Sequence, residues 1–207
     1  MKEGAEVMDR KYRVEYKVVQ LPMKELEEKY ADVEKFLACC KACPNYDTLW
    51  SCPPLTINRN EFLRQFKSVT FVGGKITLDK DLIEKVREPE EIKEVSWSIL
   101  TPEMNAIQEK MIKLEKLVPG SISLNAGGCS LCNGDCTRKE GKPCRQPDRM
   151  RYSLDAFSFD ITAITKEILG YEIIWCKDSL PEHYTLIHAL MSPKSPEEDL
   201  IKTVGLI

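Results

Sequence analysis

Eight of the nine cysteines in this 207-residue chain fall into two short groups, and that grouping limits what the chain can build more than any other feature. The first, ACCKACPNYDTLWSCPP, supplies Cys39, Cys40, Cys43 and Cys52. The second, GGCSLCNGDCTRKEGKPCRQP, supplies Cys129, Cys132, Cys136 and Cys144, with two, three and seven residues between successive cysteines. The opening residues, MKEGAEVMDRKYRVEY, carry charges where a secretory leader needs an apolar core, and no run approaches the roughly 18 apolar residues of a membrane span, so we expect a cytosolic protein with no membrane partner. In a reducing compartment thiols stay free, and grouped cysteines point to metal ligation or redox chemistry rather than to disulfides. With only His183 and His188 in the chain, catalysis that needs several imidazoles is excluded.

Short spacings through loop residues turn consecutive thiolates inward, and a more distant fourth closes the site, which is the arrangement an iron–sulfur cube requires. Gly127, Gly128 and Gly134 let the backbone come close to a metal or sulfide, and the prolines after Cys43 and Cys52 stiffen their loop. Tetrahedral zinc competes, because four thiolates satisfy it as well and Cys129 to Cys132 has a zinc-knuckle spacing. Reactive, redox or merely buried thiols are a third reading. Cys39 and Cys40 are neighbours at the end of a predicted helix and point about 100° apart, so one of them is expected in the core, leaving three ligands and an open iron. Cys176, inside an apolar run, reads as a small buried hydrophobe.

From Thr137 to Arg151 six basic residues face two acidic ones. A net charge of -3 and a pI near 5.6 argue against nucleic acid as the partner. A solvated loop is the plain reading. A reading that uses the cysteines is that a guanidinium offsets the negative charge of a thiolate cluster, and Arg145, beside Cys144, is the candidate. Tyr46 and Trp50 are expected to pack the first loop.

Along the chain, alternate apolar residues from Tyr12 to Val18 predict a strand, and Leu26, Tyr30, Val33 and Phe36 predict one helix from Met23 to Cys39. One or two helical turns follow around 58–66. SVTFVGGKITL reads as a central strand with its glycine pair at a bend or bulge. Pro89 separates a helix around Leu82 to Val86 from a second, for which Thr101 is the expected N-cap and Pro102 the first residue. SISLNAGG leads as a strand into the second cysteine group, Asp160 caps a helix closed by Gly170, and YEIIWCK and HYTLIHALM read as two closing strands. The last residues, from Ser192, read as a loose tail. We expect a single α+β domain over 1–207: a mixed or antiparallel sheet of about five strands, helices packed on one side, and the two cysteine-rich metal loops meeting at one end, with an α/β sandwich as the alternative.

CPNYDTLWSCPP, GGCSLCNGDC and PCRQPDRMRYSLDA, spanning residues 39–161, together resemble a family of predicted metal-binding proteins of unknown function. That family continues with Ser-x-Glu-Ala-x-Gly-Ile-Asp-Val, where this chain has SLDAFSFDI: Asp155 stands for the glutamate and Ser158 for the glycine. All the cysteines of the pattern are present. The resemblance implies metal binding and no particular reaction. Taken with the residues, it leads us to expect one or two 4Fe–4S clusters and electron transfer with a redox partner protein. The alternatives are a metalloenzyme whose open iron meets a small-molecule substrate, and a zinc-stabilised interaction module.

Overall fold

In the computed structural model, which describes residues 11–207, alternation of apolar and charged residues produces the first element, the edge strand β1, Tyr12–Pro22. Residues 1–10, on which part of the leader reading rests, lie outside the described residues. β1 pairs antiparallel along its whole length with β2, Ser68–Leu78, the segment the sequence marks as central. β2 pairs in turn with β4, His183–Ser192, and β4 with the three-residue β3, Ile122–Leu124, giving one antiparallel sheet in the order β1-β2-β4-β3. The sheet has four strands where about five were expected. The missing one is YEIIWCK, which runs without ladder bonds; the His183 ring and the Thr185 hydroxyl meet the Glu172 carbonyl instead.

The strand period of two sends alternate side chains to opposite faces, and both faces are covered. Val69, Phe71, Ile187, Ala189 and Met191 pack with Leu26, Phe157, Phe159, Ile164 and Leu169 on one side. Val72, Ile76, Tyr184, Leu186 and Leu190 pack with Ile99, Ile107, Met111 and Leu114 on the other. Helices therefore lie on both sides of the sheet, a correction to the one-sided arrangement, because β2 and β4 carry apolar residues at odd and even positions alike. The glycine pair of β2 makes no bulge, since its pairing with β1 and β4 runs unbroken. A Cβ on Gly73 would stand 2.9 Å from Leu169, and one on Gly74 2.8 Å from Ile107, so the glycines let a layer press onto each face.

The predicted Met23–Cys39 helix is two: α1, Met23–Tyr30, and α2, Val33–Lys41. Ala31 bridges Phe159, Asp160 donates its amide to the Tyr30 carbonyl at 2.7 Å, and Asp32 then caps α2 through the Lys35 amide. None of the α2 residues is buried, so Val33 does not continue the α1 face. α3, Arg59–Leu63, fills the short helical segment, and α4 is Lys80–Lys85.

Pro89 does separate α4 from the next helix, but that helix, α5, runs from Pro89 to Leu117 with Pro102 inside it. Ile92, Ile99, Ile107, Met111 and Leu114 are buried on both sides of the proline, so a continuous apolar stripe holds the helix across a break its local chemistry favours. Ser98, whose carbonyl stands four residues before Pro102, is an exposed residue. α6, Ile161–Ala163, capped by Asp160 as expected, runs on as a wide π turn over Ile164–Leu169 and closes at Gly170 with φ 67°. The final segment is anchored: α7, Glu198–Thr203, buries Ile201, and Leu206 is fully buried. Among the described residues no helix is long and apolar enough to cross a membrane.

Candidate metal centre

The first cysteine loop begins where α2 ends. The Ala42 amide reaches back to the Ala38, Cys39 and Cys40 carbonyls, and tight turns follow: Cys43 amide to Cys40 carbonyl (3.0 Å), Tyr46 to Cys43 (3.0 Å), Cys52 to Leu49 (3.0 Å). These turns fold the segment back so that Cys40, Cys43 and Cys52 influence one another electrostatically. Cys52 is buried, Cys40 half-buried with its thiol 3.9 Å from the Asp155 carbonyl oxygen, and Cys43 and Cys39 exposed. Burial, then Asp155 and the neighbouring thiols, push Cys40 up to about 11, and burial raises Cys52 while the Ser51 hydroxyl opposes it. In this setting thiols stay protonated at neutral pH unless a cation compensates them, which is the state a metal-binding loop holds before metal arrives.

The second loop follows β3 directly. Cys129, Cys132, Cys136 and Cys144 all line one cavity of about 20 Å³, roofed by Leu49 and Trp50 from the first loop. Burial raises the Cys129 thiol, the Leu131 amide opposes, and Cys132, Cys144 and Cys136 add to the rise. The Gln146 amide donates to the Cys144 sulfur at 3.4 Å, and its side chain donates to the Leu131 carbonyl at 3.0 Å, tying the two ends of the loop together. Left-handed turns at Gly134 (φ 83°) and Asn133 (φ 49°) reverse the chain between Cys132 and Cys136. At Gly128 a Cβ would lie 2.6 Å from Leu49 and 3.2 Å from the Asn45 side chain, so this glycine seats one loop on the other.

Several further contacts clasp the two loops. The Cys129 amide donates to the buried Ser51 hydroxyl at 2.9 Å, which itself sits 3.7 Å from the Cys52 sulfur. The Trp50 indole donates to the Lys142 carbonyl at 3.2 Å, so it packs the loop as expected. Arg138, between Cys136 and Cys144, reaches across with a side chain only 7% exposed and donates to the carbonyls of Leu49 (3.0 Å), Cys52 (2.8 Å) and Pro54 (2.6 Å). It also pairs with Asp47 at 2.9 Å and lies over the Trp50 ring at 5.1 Å. A guanidinium suits this task because its fork of five donors meets several carbonyls at once.

Arg145 is half-exposed and pairs with the Asp135 side chain at 2.9 Å and with the Asp135 carbonyl. Asp135 raises its pKa first, and Cys132 adds to the rise. Adjacency to Cys144 singled it out in the sequence, while Arg138 was one basic residue among six, and only the fold reveals it as the clasp. Cys176 is a correction: it is exposed, with its thiol 3.4 Å from the Ser179 carbonyl and 3.8 Å from Ser96, because its segment never joins the sheet. Asp155 lies in the concave wall of a cleft beside the second loop, reached by solvent yet ringed by protein, and burial pushes its carboxyl up. His188 is fully buried on β4 and takes no part in either loop.

Among the described residues, no three Cys, His, Asp or Glu side chains converge into a geometry that by itself holds an ion. What the fold does is place four thiols of the second loop around one cavity and the other three thiols of the first loop within electrostatic reach of Cys40, groupings of soft sulfur atoms of the kind that suits thiophilic metals. A family model described as "Predicted metal-binding protein (DUF2284)" matches residues 26–191. No curated protein and no solved structure matches the chain.

Proposed function

The chain belongs to this family of predicted metal-binding proteins, and on that premise we propose that it is an iron–sulfur protein that exchanges electrons with a redox partner. The supporting observation is the cavity shared by Cys129, Cys132, Cys136 and Cys144, a thiol-only donor set of the number one 4Fe–4S cube takes. Cys40, Cys43 and Cys52, with Cys39, form the second candidate site. A bound cube supplies one-electron chemistry. The protein's own part is electrostatic: the amides of Gln146 and Leu131 aimed at Cys144 and Cys129, and the charges of Arg145 and Arg138 near the two groups, all favour the more negative, reduced state. The exposed Cys43 gives the first site an edge that a partner protein can approach.

A second reading is favoured by one feature of the first loop. Cys39 is exposed at the end of α2 and acts least on Cys40 among the neighbouring thiols, so a site built on Cys40, Cys43 and Cys52 alone is the arrangement this reading takes. Three ligands on a cube leave one iron free to take a small substrate as a Lewis acid.

Iron, zinc and acid-labile sulfide counted in anaerobically purified protein test both readings. Two cubes bring about eight irons and as many sulfides per chain. Cys132→Ser is expected to lose about half of them, and Cys176→Ser none. A change in the paramagnetic resonance of the reduced protein on adding a small ligand such as cyanide selects the open-iron reading. A colourless protein carrying one or two zinc ions, after expression with iron supplied, overturns both and leaves a zinc-stabilised module.

A further inference from the structure

Among the described residues β1 pairs with β2 alone, so one edge of this 11-residue strand meets no other strand. The ladder fixes which backbone groups point outward. In an antiparallel pair, opposed residues alternate between those that exchange both hydrogen bonds and those that exchange none. The Asp79 amide donates to the Lys11 carbonyl at 3.0 Å and, at the far end, the Met23 amide donates to the Lys67 carbonyl at 2.9 Å, so odd-numbered residues of β1 bond to β2. The amides and carbonyls of Tyr12, Val14, Tyr16, Val18 and Gln20 therefore face away from the sheet. Pro22, the next even-numbered residue, lacks an amide on that same side. A long edge with no bulge and no earlier proline is a template for another strand. Side chains of one sign would repel such a strand, but Arg13, Glu15 and Lys17, exposed together on one face, alternate in sign.

We propose that this edge pairs with the β1 edge of a second copy of the chain, antiparallel about a two-fold axis at Tyr16, joining the two sheets into one. The inference goes beyond the metal reading and does not depend on which metal, if any, the loops hold. Charge selects the register, because residues directly opposite across a ladder interact and like charges there repel. With the axis at Tyr16, that residue exchanges both bonds with its counterpart, Val14 pairs with Val18 and Tyr12 with Gln20, and Glu15 stands opposite Lys17 of the partner subunit in both directions. Each Glu15 is then flanked by cations, Lys75 of its own β2 on one side and the partner's Lys17 on the other. Lys17 faces the bare Gly73 within its own chain, so the second copy supplies its cross-strand acid. The other registers are poorer. An axis at Glu15 opposes two glutamates and sets Arg13 against Lys17, one at Lys17 opposes two lysines, and one at Val18 forms no charge pair. An axis at Val14 joins Arg13 to Glu15 but sets Lys11 against Lys17 and shortens the overlap. A two-fold pairing closes on itself and leaves no edge on this side for a third chain.

Sedimentation equilibrium of the full chain over a dilution series tests the proposal, and a reversible dimer is expected. Glu15→Lys and Lys17→Glu, both at exposed positions, each set like charges opposite one another twice per dimer and are expected to weaken association about tenfold. The double variant, Glu15→Lys with Lys17→Glu, restores an opposite charge to each pair and is expected to return the dissociation constant to within about threefold of the parent. Hydrogen exchange locates the contact: the amides of Val14, Tyr16 and Val18 are expected to slow as concentration rises, while those of Arg13, Glu15 and Lys17, bonded to β2, stay protected throughout. A monomer at every concentration, a dimer indifferent to both single variants, or a double variant no tighter than the singles overturns the proposal. So does protection of the even-numbered amides in a monomer, which assigns the edge to a cover from within the chain.

Discussion

Replacing Arg138 by alanine removes the residue that joins the two cysteine loops, and the geometry sets the size of the effect. Its guanidinium donates to three carbonyls, those of Leu49, Cys52 and Pro54, from a side chain almost wholly buried. A net contribution of about 1 kcal/mol for each bond gives about 3 kcal/mol, and the pair with Asp47, which is 67% exposed, adds less than about 1 kcal/mol. The stranded carbonyls lie at a loop rim where water reaches them in part, so we expect a loss of about 2 to 4 kcal/mol. Arg138→Lys keeps the charge but offers a point donor in place of a fork, and is expected to recover less than half. Urea unfolding of the metal-loaded protein reads the loss; with a slope of about 2 kcal/mol per molar, the midpoint moves down by about 1 to 2 M. The same variant should lose metal from both loops, because Arg138 sits in the second and holds the first. A midpoint within about 0.3 M of the parent, with metal content unchanged, refutes the clasp.

His188 is fully buried, and burial lowers its pKa to about 3, with the Met104 backbone pulling slightly the other way. The native state therefore binds fewer protons than the unfolded one below about pH 6.5, and stability should fall by about 1.4 kcal/mol per pH unit from there toward pH 3 on this account. His188→Leu should flatten that slope relative to the parent in unfolding curves taken at pH 7, 6 and 5; parallel curves refute it. Ser158 holds φ 58°, the left-handed region that glycine occupies without cost, so Ser158→Gly should stabilise the protein by about 0.5 to 1 kcal/mol. Thermal melting checks this, and an unchanged or lower midpoint counts against it. Gly128→Ala places a Cβ 2.6 Å from Leu49, and should cost about 1 to 3 kcal/mol by parting the loops, read as lower stability together with lost metal.

Local chemistry made much of this protein legible in the sequence. β2 has the bounds its apolar run marks, and Asp160 and Gly170 open and close their helix, because strand period and caps are settled within a few residues. The spacings of the second group likewise bring Cys129, Cys132, Cys136 and Cys144 to the lining of one cavity through short turns. The family resemblance read from residues 39–161 agrees with the match over 26–191.

The departures occur where distant segments decide the outcome. Pro102 lies inside α5 because burial of an apolar stripe on both sides outweighs a helix break worth about 3 kcal/mol. The Met23–Cys39 helix is split by a bridge from Ala31 to Phe159, and YEIIWCK stays off the sheet with Trp175 and Cys176 exposed. The chain by itself thus determined where the grouped cysteines stand and how they are spaced, because both follow from covalent order. Only the tertiary structure decided that the two loops are clasped by Arg138, Ser51 and Gly128, and that a cleft opens beside the second loop. Those outcomes depend on contacts between segments far apart in the chain, where burial and hydrogen-bond satisfaction across the whole fold outweigh any single residue's preference.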